Sequence, residues 1–181
     1  TAGGGNDDDT TSVDLDCYGQ GNYYLRVVSI NGCGIRYRLK YEVLAPLYGN
    51  DPEPNNSFAE AIAVNPDSSN ANGHLNFAHT GNNDDYAKVA LPAAGNISFD
   101  LSAENAGGGA IRVYLYNEGG GQLAYQDVPV GSGHIPVQTA VAFNGLAAGT
   151  YYVRFTSISG CGISYRLNCN DADGDGADCD D

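Results

Sequence analysis

Tyr151-Tyr152-Val153-Arg154-Phe155-Thr156-Ser157-Ile158-Ser159-Gly160-Cys161-Gly162-Ile163-Ser164-Tyr165-Arg166-Leu167 reads as two strands joined by a Gly-Cys-Gly turn. Almost the same hairpin runs from Tyr23 to Leu39, around Gly32-Cys33-Gly34. The copies lie 128 positions apart. From Thr11/Thr139 to Leu39/Leu167 they align without a gap, with 15 identities in 29 positions, so the chain carries an internal repeat. In the first copy Ile35, Tyr37, Leu39, Tyr41 and Val43 alternate with Arg36, Arg38, Lys40 and Glu42. That period of two predicts a strand with one buried and one solvated face. Only ten residues precede the aligned segment of the first copy, so the chain is expected to begin partway through a domain.

Short apolar runs separated by Gly-rich turns follow the same logic elsewhere. Strands are expected at 87–91, 97–101, 111–116, 122–128, 137–143, 151–158 and 163–169, with one more near 74–79. Gly107-Gly108-Gly109 and Gly119-Gly120-Gly121 read as turns, because neither lies between a strand and a helix as a phosphate loop would. About eight short strands at this spacing predict an all-β fold, a jelly-roll-like antiparallel β-sandwich. An incomplete second β-sandwich unit of about three strands precedes it. The expected division is 1–43 for the partial unit, 44–50 for a linker, 51–169 for the complete sandwich and 170–181 for an acidic tail.

The chain has 181 residues, 42% of them apolar, with 25 Gly and neither Met nor Trp. Its formal net charge is −14. Nucleic acid phosphates and anionic membranes would repel it, so neither is an expected partner. No stretch reaches the roughly 18 apolar residues that a spanning helix needs. Much of the acid lies in 7–16 and 171–181, and clustered carboxylates mean either a solvated tail or a calcium site. Five Cys is an odd number, and the acid runs, high Gly and low Lys fit an extracellular setting where disulfides persist.

Several separated motifs occur together. They are Asp51-Pro52-Glu53-Pro54-Asn55-Asn56, Asp84-Asp85-Tyr86, Ala148-Gly149-Thr150-Tyr151-Tyr152-Val153-Arg154 and Tyr165-Arg166-Leu167. In this order, over about 50–168, they resemble the bacterial pre-peptidase C-terminal domain. Residues 10–43 resemble the last third of a second such domain. The resemblance implies a Ca²⁺-stabilised β-sandwich on a secreted protein, non-catalytic, with some relatives binding collagen or insoluble polysaccharide. It places calcium ligands at Glu53, Asn55, Asp84 and Asp85. The tail is similar to the Asp-rich metal-binding repeats of secreted bacterial proteins.

Within the tail, Asp171, Asp173 and Asp175 with Gly176 match the first, third, fifth and sixth places of a calcium loop, and Asp178, Asp180 or a neighbouring chain must fill the sphere. Cys169 and Cys179 bracket this loop and are disulfide candidates. Cys33 and Cys161 could bond between copies or remain free. Asn55 and Asn96 each open a glycosylation sequon, so glycans are possible partners. His74, His79 and His134 are scattered, and no nucleophilic Ser/His/Asp arrangement is legible.

The half-domain points to function. Three strands cannot close a sandwich, so their apolar face must be covered from elsewhere. The expectation is a non-catalytic secreted structural protein, the subunit of an extracellular fibre or surface appendage. It would assemble head-to-tail with other copies of itself by strand complementation. The alternative is an excerpt of a tandem accessory module of a larger secreted protein, binding collagen or polysaccharide.

Overall fold

A computed structural model describes residues 22–31, 36–41, 48, 52–64 and 84–167, and the backbone alone of 71–75 and 168. Among the described residues nine strands are formed, β1 (Ile62–Ala63), β2 (Ala71–Leu75), β3 (Asp84–Leu91), β4 (Gly95–Glu104), β5 (Gly107–Asn117), β6 (Gln122–Ser132), β7 (Val137–Leu146), β8 (Gly149–Ser159) and β9 (Ile163–Asn168). They make two layers. One has the order β1-β3-β8-β5-β6 and the other β2-β9-β4-β7. The layers join at one end, where Glu104 of β4 pairs in parallel with Gly131 of β6. The all-β sandwich expected from the sequence is present. Its ladders are antiparallel except for this bridge and the β1–β3 pair.

Alternation builds the core. In β8, Tyr151, Val153 and Phe155 face inward, while Tyr152, Arg154 and Thr156 face outward. In β5, Ile111, Val113 and Leu115 face inward between Arg112, Tyr114 and Tyr116. From the other layer come Phe99, Leu101, Val141, Ile163, Tyr165 and Leu167. Phe155 sits at the centre, with Tyr165 stacked on it at 5.1 Å and Phe99 tilted against it at 6.0 Å.

Some expectations shift. The fourth, fifth and sixth strands run longer than their apolar cores, and β2 lies at 71–75, ahead of the 74–79 window. Gly107-Gly108-Gly109 opens β5 where the sequence suggested a turn. The reason is close approach of β8. A Cβ on Gly109 would stand 2.3 Å from the Ser159 carbonyl oxygen. Gly119-Gly120 does form the β5–β6 turn.

The described residues of the first repeat copy, 22–31 and 36–41, are exposed and belong to none of these strands. The rest of 1–43 lies outside the described residues. So does the tail with Asp171, Asp173, Asp175 and Asp178, together with Cys169 and Cys179. Among the described residues no helix is long and apolar enough to cross a membrane.

Candidate functional site

The outward positions of the β3-β8-β5-β6 layer carry tyrosine and arginine where an ordinary solvated face would carry Thr, Ser or Lys. Register places them in rows. Tyr86, Arg154, Tyr114 and Tyr125 lie opposite one another across four strands. One side of this row holds Asp84, Thr156, Arg112 and Asp127, and the other Lys88, Tyr152 and Tyr116.

Guanidinium groups lie between rings along the central row. Arg154 is 5.9 Å from the Tyr86 centroid and 5.3 Å from that of Tyr114. Arg112 is 5.9 Å from Tyr114 and 4.5 Å from Tyr125. Both are inside the range of cation–π attraction. Each guanidinium is also fixed by a carboxylate. Arg112 donates to the two Asp127 oxygens at 2.6 and 2.8 Å, and Arg154 Nη2 donates to both Asp84 oxygens at 2.9 Å. The hydrogen bond from Arg112 holds the Asp127 carboxyl below the usual carboxylate range. A depressed acid adds stability above its unfolded pKa of roughly 3.9, and loses it as pH falls through the lower folded value. Burial pushes the Tyr86 hydroxyl up, against the pull of Arg154.

A strap, residues 52–61, crosses this face. Its Glu53–Pro54 peptide bond is cis and the chain bends at Glu53, and Tyr86 N–H donates to the Asn55 carbonyl at 2.8 Å. Ser57 Oγ and the Glu60 carboxylate meet at 2.8 Å across the following turn. Phe58 is the anchor. It stands edge-on to Tyr86, Tyr116 and Tyr152, at 5.1, 5.2 and 5.0 Å. Each such pair contributes about 0.5–1.5 kcal/mol beyond its area burial. The strap covers one side of the face and leaves Tyr125 56% and Leu123 50% exposed beside Tyr114.

The residues expected to hold calcium are separated by the same alternation. Asp84 faces outward, onto Arg154, while Asp85 faces inward, is 2% exposed and accepts a hydrogen bond from Tyr165 Oη at 2.6 Å. Glu53 Oε2 accepts from Asn55 N at 3.1 Å and Asn56 Nδ2 at 3.2 Å, so its carboxylate closes its own turn. Among the described residues no three His, Cys, Asp or Glu side chains are gathered as a metal centre. Asp84 and Asp85 thus present their carboxylates on opposite faces of β3. Asn55 is 1% exposed, which leaves no room for a glycan in the folded state. Asn96 is exposed, with its Oδ1 accepting from Gly145 N at 3.0 Å.

A second polar cluster sits where the layers join. Buried Glu104 binds His134 Nδ1 at 2.7 Å through Oε2 and accepts from Ser164 Oγ at 2.5 Å through Oε1. Histidine, carboxylate and serine meet here in a non-catalytic order. Ser164 is fully buried and donates a hydrogen bond to the carboxylate, and the imidazole holds the opposite oxygen. Gly133 and His134 both have positive φ, 65° and 56°, as a tight turn between β6 and β7 requires. The same end is tied by Asn105, whose amide donates to the Gly108 and Cys161 carbonyls at 3.0 and 3.2 Å. Cys161 is disulfide-bonded.

No family model matches the chain, and no curated protein matches it. Among solved structures it is similar to the pre-peptidase C-terminal domain of collagenase from Bacillus anthracis. The identity is 22% over 66% of this chain and 98% of that one, with a TM-score of 0.39. It is also similar to a carbohydrate-binding module structure reported as "CBM4 structure and function", at 10% identity over 47% of this chain and 56% of that one, TM-score 0.38. The C-terminal CBM6 of a marine laminarinase from Zobellia galactanivorans is similar at 21% identity, over 58% and 96%, TM-score 0.34.

Proposed function

We propose that this chain is a non-catalytic binding module of a secreted protein, and that the Tyr/Arg face of the β3-β8-β5-β6 layer holds a polysaccharide. The row Tyr86–Arg154–Tyr114–Tyr125 carries the reading. The exposed Tyr125 ring, with the partly buried Tyr114 beside it, offers flat apolar surface to the C–H faces of sugar rings, and the adjacent arginine–aspartate pairs and phenol hydroxyls offer fixed hydrogen-bonding groups. The scaffold is rigid, since every member stands on a strand. The disulfide at Cys161 supports an oxidising, extracytoplasmic location.

The test is retention on insoluble cellulose, chitin and collagen. Polysaccharide is expected to retain the protein. Tyr114→Ala with Tyr125→Ala is expected to weaken retention by about tenfold or more, the loss of roughly 1.4 kcal/mol or more that buried aromatic anchors commonly account for. The melting temperature should stay within a few degrees, because both side chains point away from the core. Retention on collagen alone, or undiminished binding by the double variant, would overturn the polysaccharide assignment.

A fibre subunit is the second reading, favoured by the first repeat copy. Tyr24 is 94% and Ile30 99% exposed, and the apolar side chains beside them are half or more exposed. Such a run calls for a cover. Electron microscopy of concentrated protein is expected to show filaments, and a monodisperse monomer would sink this reading.

Calcium is proposed for the acidic tail, through Asp171, Asp173, Asp175 and Asp178. Chelation is expected to lower the melting temperature by several degrees, and Asp173→Asn with Asp175→Asn to abolish that response. An unchanged melting curve on chelation removes calcium from the account.

A further inference from the structure

We infer that the free edge of β7 is a docking site for a β-strand, and that its occupant is the segment 36–41 of a second copy of this chain. This rests on the assembly reading above. The sandwich has several edges, and they differ in how well they are protected. β1 is two residues long and β2 five. β6 carries Asp127 and Pro129, a charge and a missing N–H, the usual devices against pairing. β7 has neither. Its ten residues, Val137-Gln138-Thr139-Ala140-Val141-Ala142-Phe143-Asn144-Gly145-Leu146, include no charged residue and no proline. Among the described residues it pairs with β4 alone. Gln126 Nε2 reaches across to one carbonyl, that of Ala140, at 2.9 Å. A long, uncharged edge left open in this way is a template for another strand.

The occupant follows from the repeat. Tyr165 and Leu167 of β9 are 3% and 5% exposed, whereas their first-copy counterparts Tyr37 and Leu39 are 69% and 53% exposed. The same sequence pattern is core in one place and open in the other. β9 belongs to the layer that contains β7, so its counterpart extends that layer in kind. Charge agrees. Arg26, Arg36, Arg38 and Lys40 are four of the eight basic residues, and no acid lies in 22–41 of a chain with 22 acids. Residues 36–41 alternate basic and apolar side chains. Added to β7, they turn Tyr37, Leu39 and Tyr41 toward the side of Val141 and Phe143. Arg36, Arg38 and Lys40 then run beside the small outward residues Ala140 and Ala142, with Asp100 of β4 one strand beyond.

The experiment measures self-association of the full chain by sedimentation, alongside hydrogen exchange. Mass is expected to rise with concentration, and amide protection to rise with it in 137–146. Ala140→Lys with Ala142→Lys, both outward and exposed, is expected to weaken association by about tenfold or more, as edge lysines do. Arg38→Glu should weaken it independently. Association that persists in all variants, with no protection gained in 137–146, overturns the β7 edge while leaving assembly standing. A monomer at every concentration overturns both. If the lysine variant unfolds, the wild-type exchange pattern and Arg38→Glu decide alone.

Discussion

Phe155→Ala lowers the stability of the sandwich by about 3–5 kcal/mol, the range for a large aromatic removed from a packed core. For a domain of this size that corresponds to a fall in melting temperature on the order of 10–20 °C. Three observations set this position apart. Phe155 is 1% exposed, it touches aromatic rings of the opposite layer, and it borders an existing apolar cavity. That cavity, about 20 Å³, is lined by Val64, Ala87, Val89, Ile97, Phe99, Val153 and Leu167 as well. Truncation joins the lost ring volume to it. Strands on both sides are fixed by their ladders, so the site collapses poorly and the cavity term is large. Urea and thermal melts check the result, and a loss below about 1 kcal/mol would show that the layers can close around the gap.

Gly131→Ala is expected to cost about 3 kcal/mol or more, by a different mechanism. A Cβ at this position would stand 1.8 Å from the Ile135 carbonyl oxygen and 3.0 Å from Val137 N. Both are backbone atoms, and Gly131 is the residue through which the layers are bridged to Glu104. Relief requires the β6–β7 turn to move, and that turn presents His134 to Glu104. Gly145→Ala is the comparison. Its φ is +69° with nothing within 4 Å, so only the left-handed strain applies, about 1–2 kcal/mol. If the two variants melt together, the close approach at Gly131 is not what the turn depends on.

The hairpin at 151–167 was readable because its apolar residues keep period two, and that period decides burial whatever the partners are. The Tyr/Arg face was not. Tyr86, Tyr114, Tyr125 and Tyr152 stand far apart in the chain, and only register makes them neighbours. A usable signal was nonetheless present at Tyr114 and Tyr152, each of which occupies an outward position between two core residues. The Asp84-Asp85 pair shows the same alternation. Adjacent residues of a strand point to opposite faces, so two consecutive carboxylates cannot converge on one ion without a bulge. His134 looked like an ordinary loop histidine. Its meeting with Glu104 depends on two successive positive φ angles, which the pair Gly133-His134 hints at only through its glycine.

A chain that carries one hairpin twice must also fold the right copy into place. β8 of the second copy fills the slot between β3 and β5, and most residues of the two hairpins agree. At the centre they differ, with Phe155 in one and Val27 in the other. A valine at the middle of this core leaves the phenyl volume empty, a deficit of a few kcal/mol. Val153 and Leu25 differ as well, so the wrong hairpin is both too small at one position and too large at the other. A first-copy hairpin in that slot would therefore pack less well than the one that belongs there.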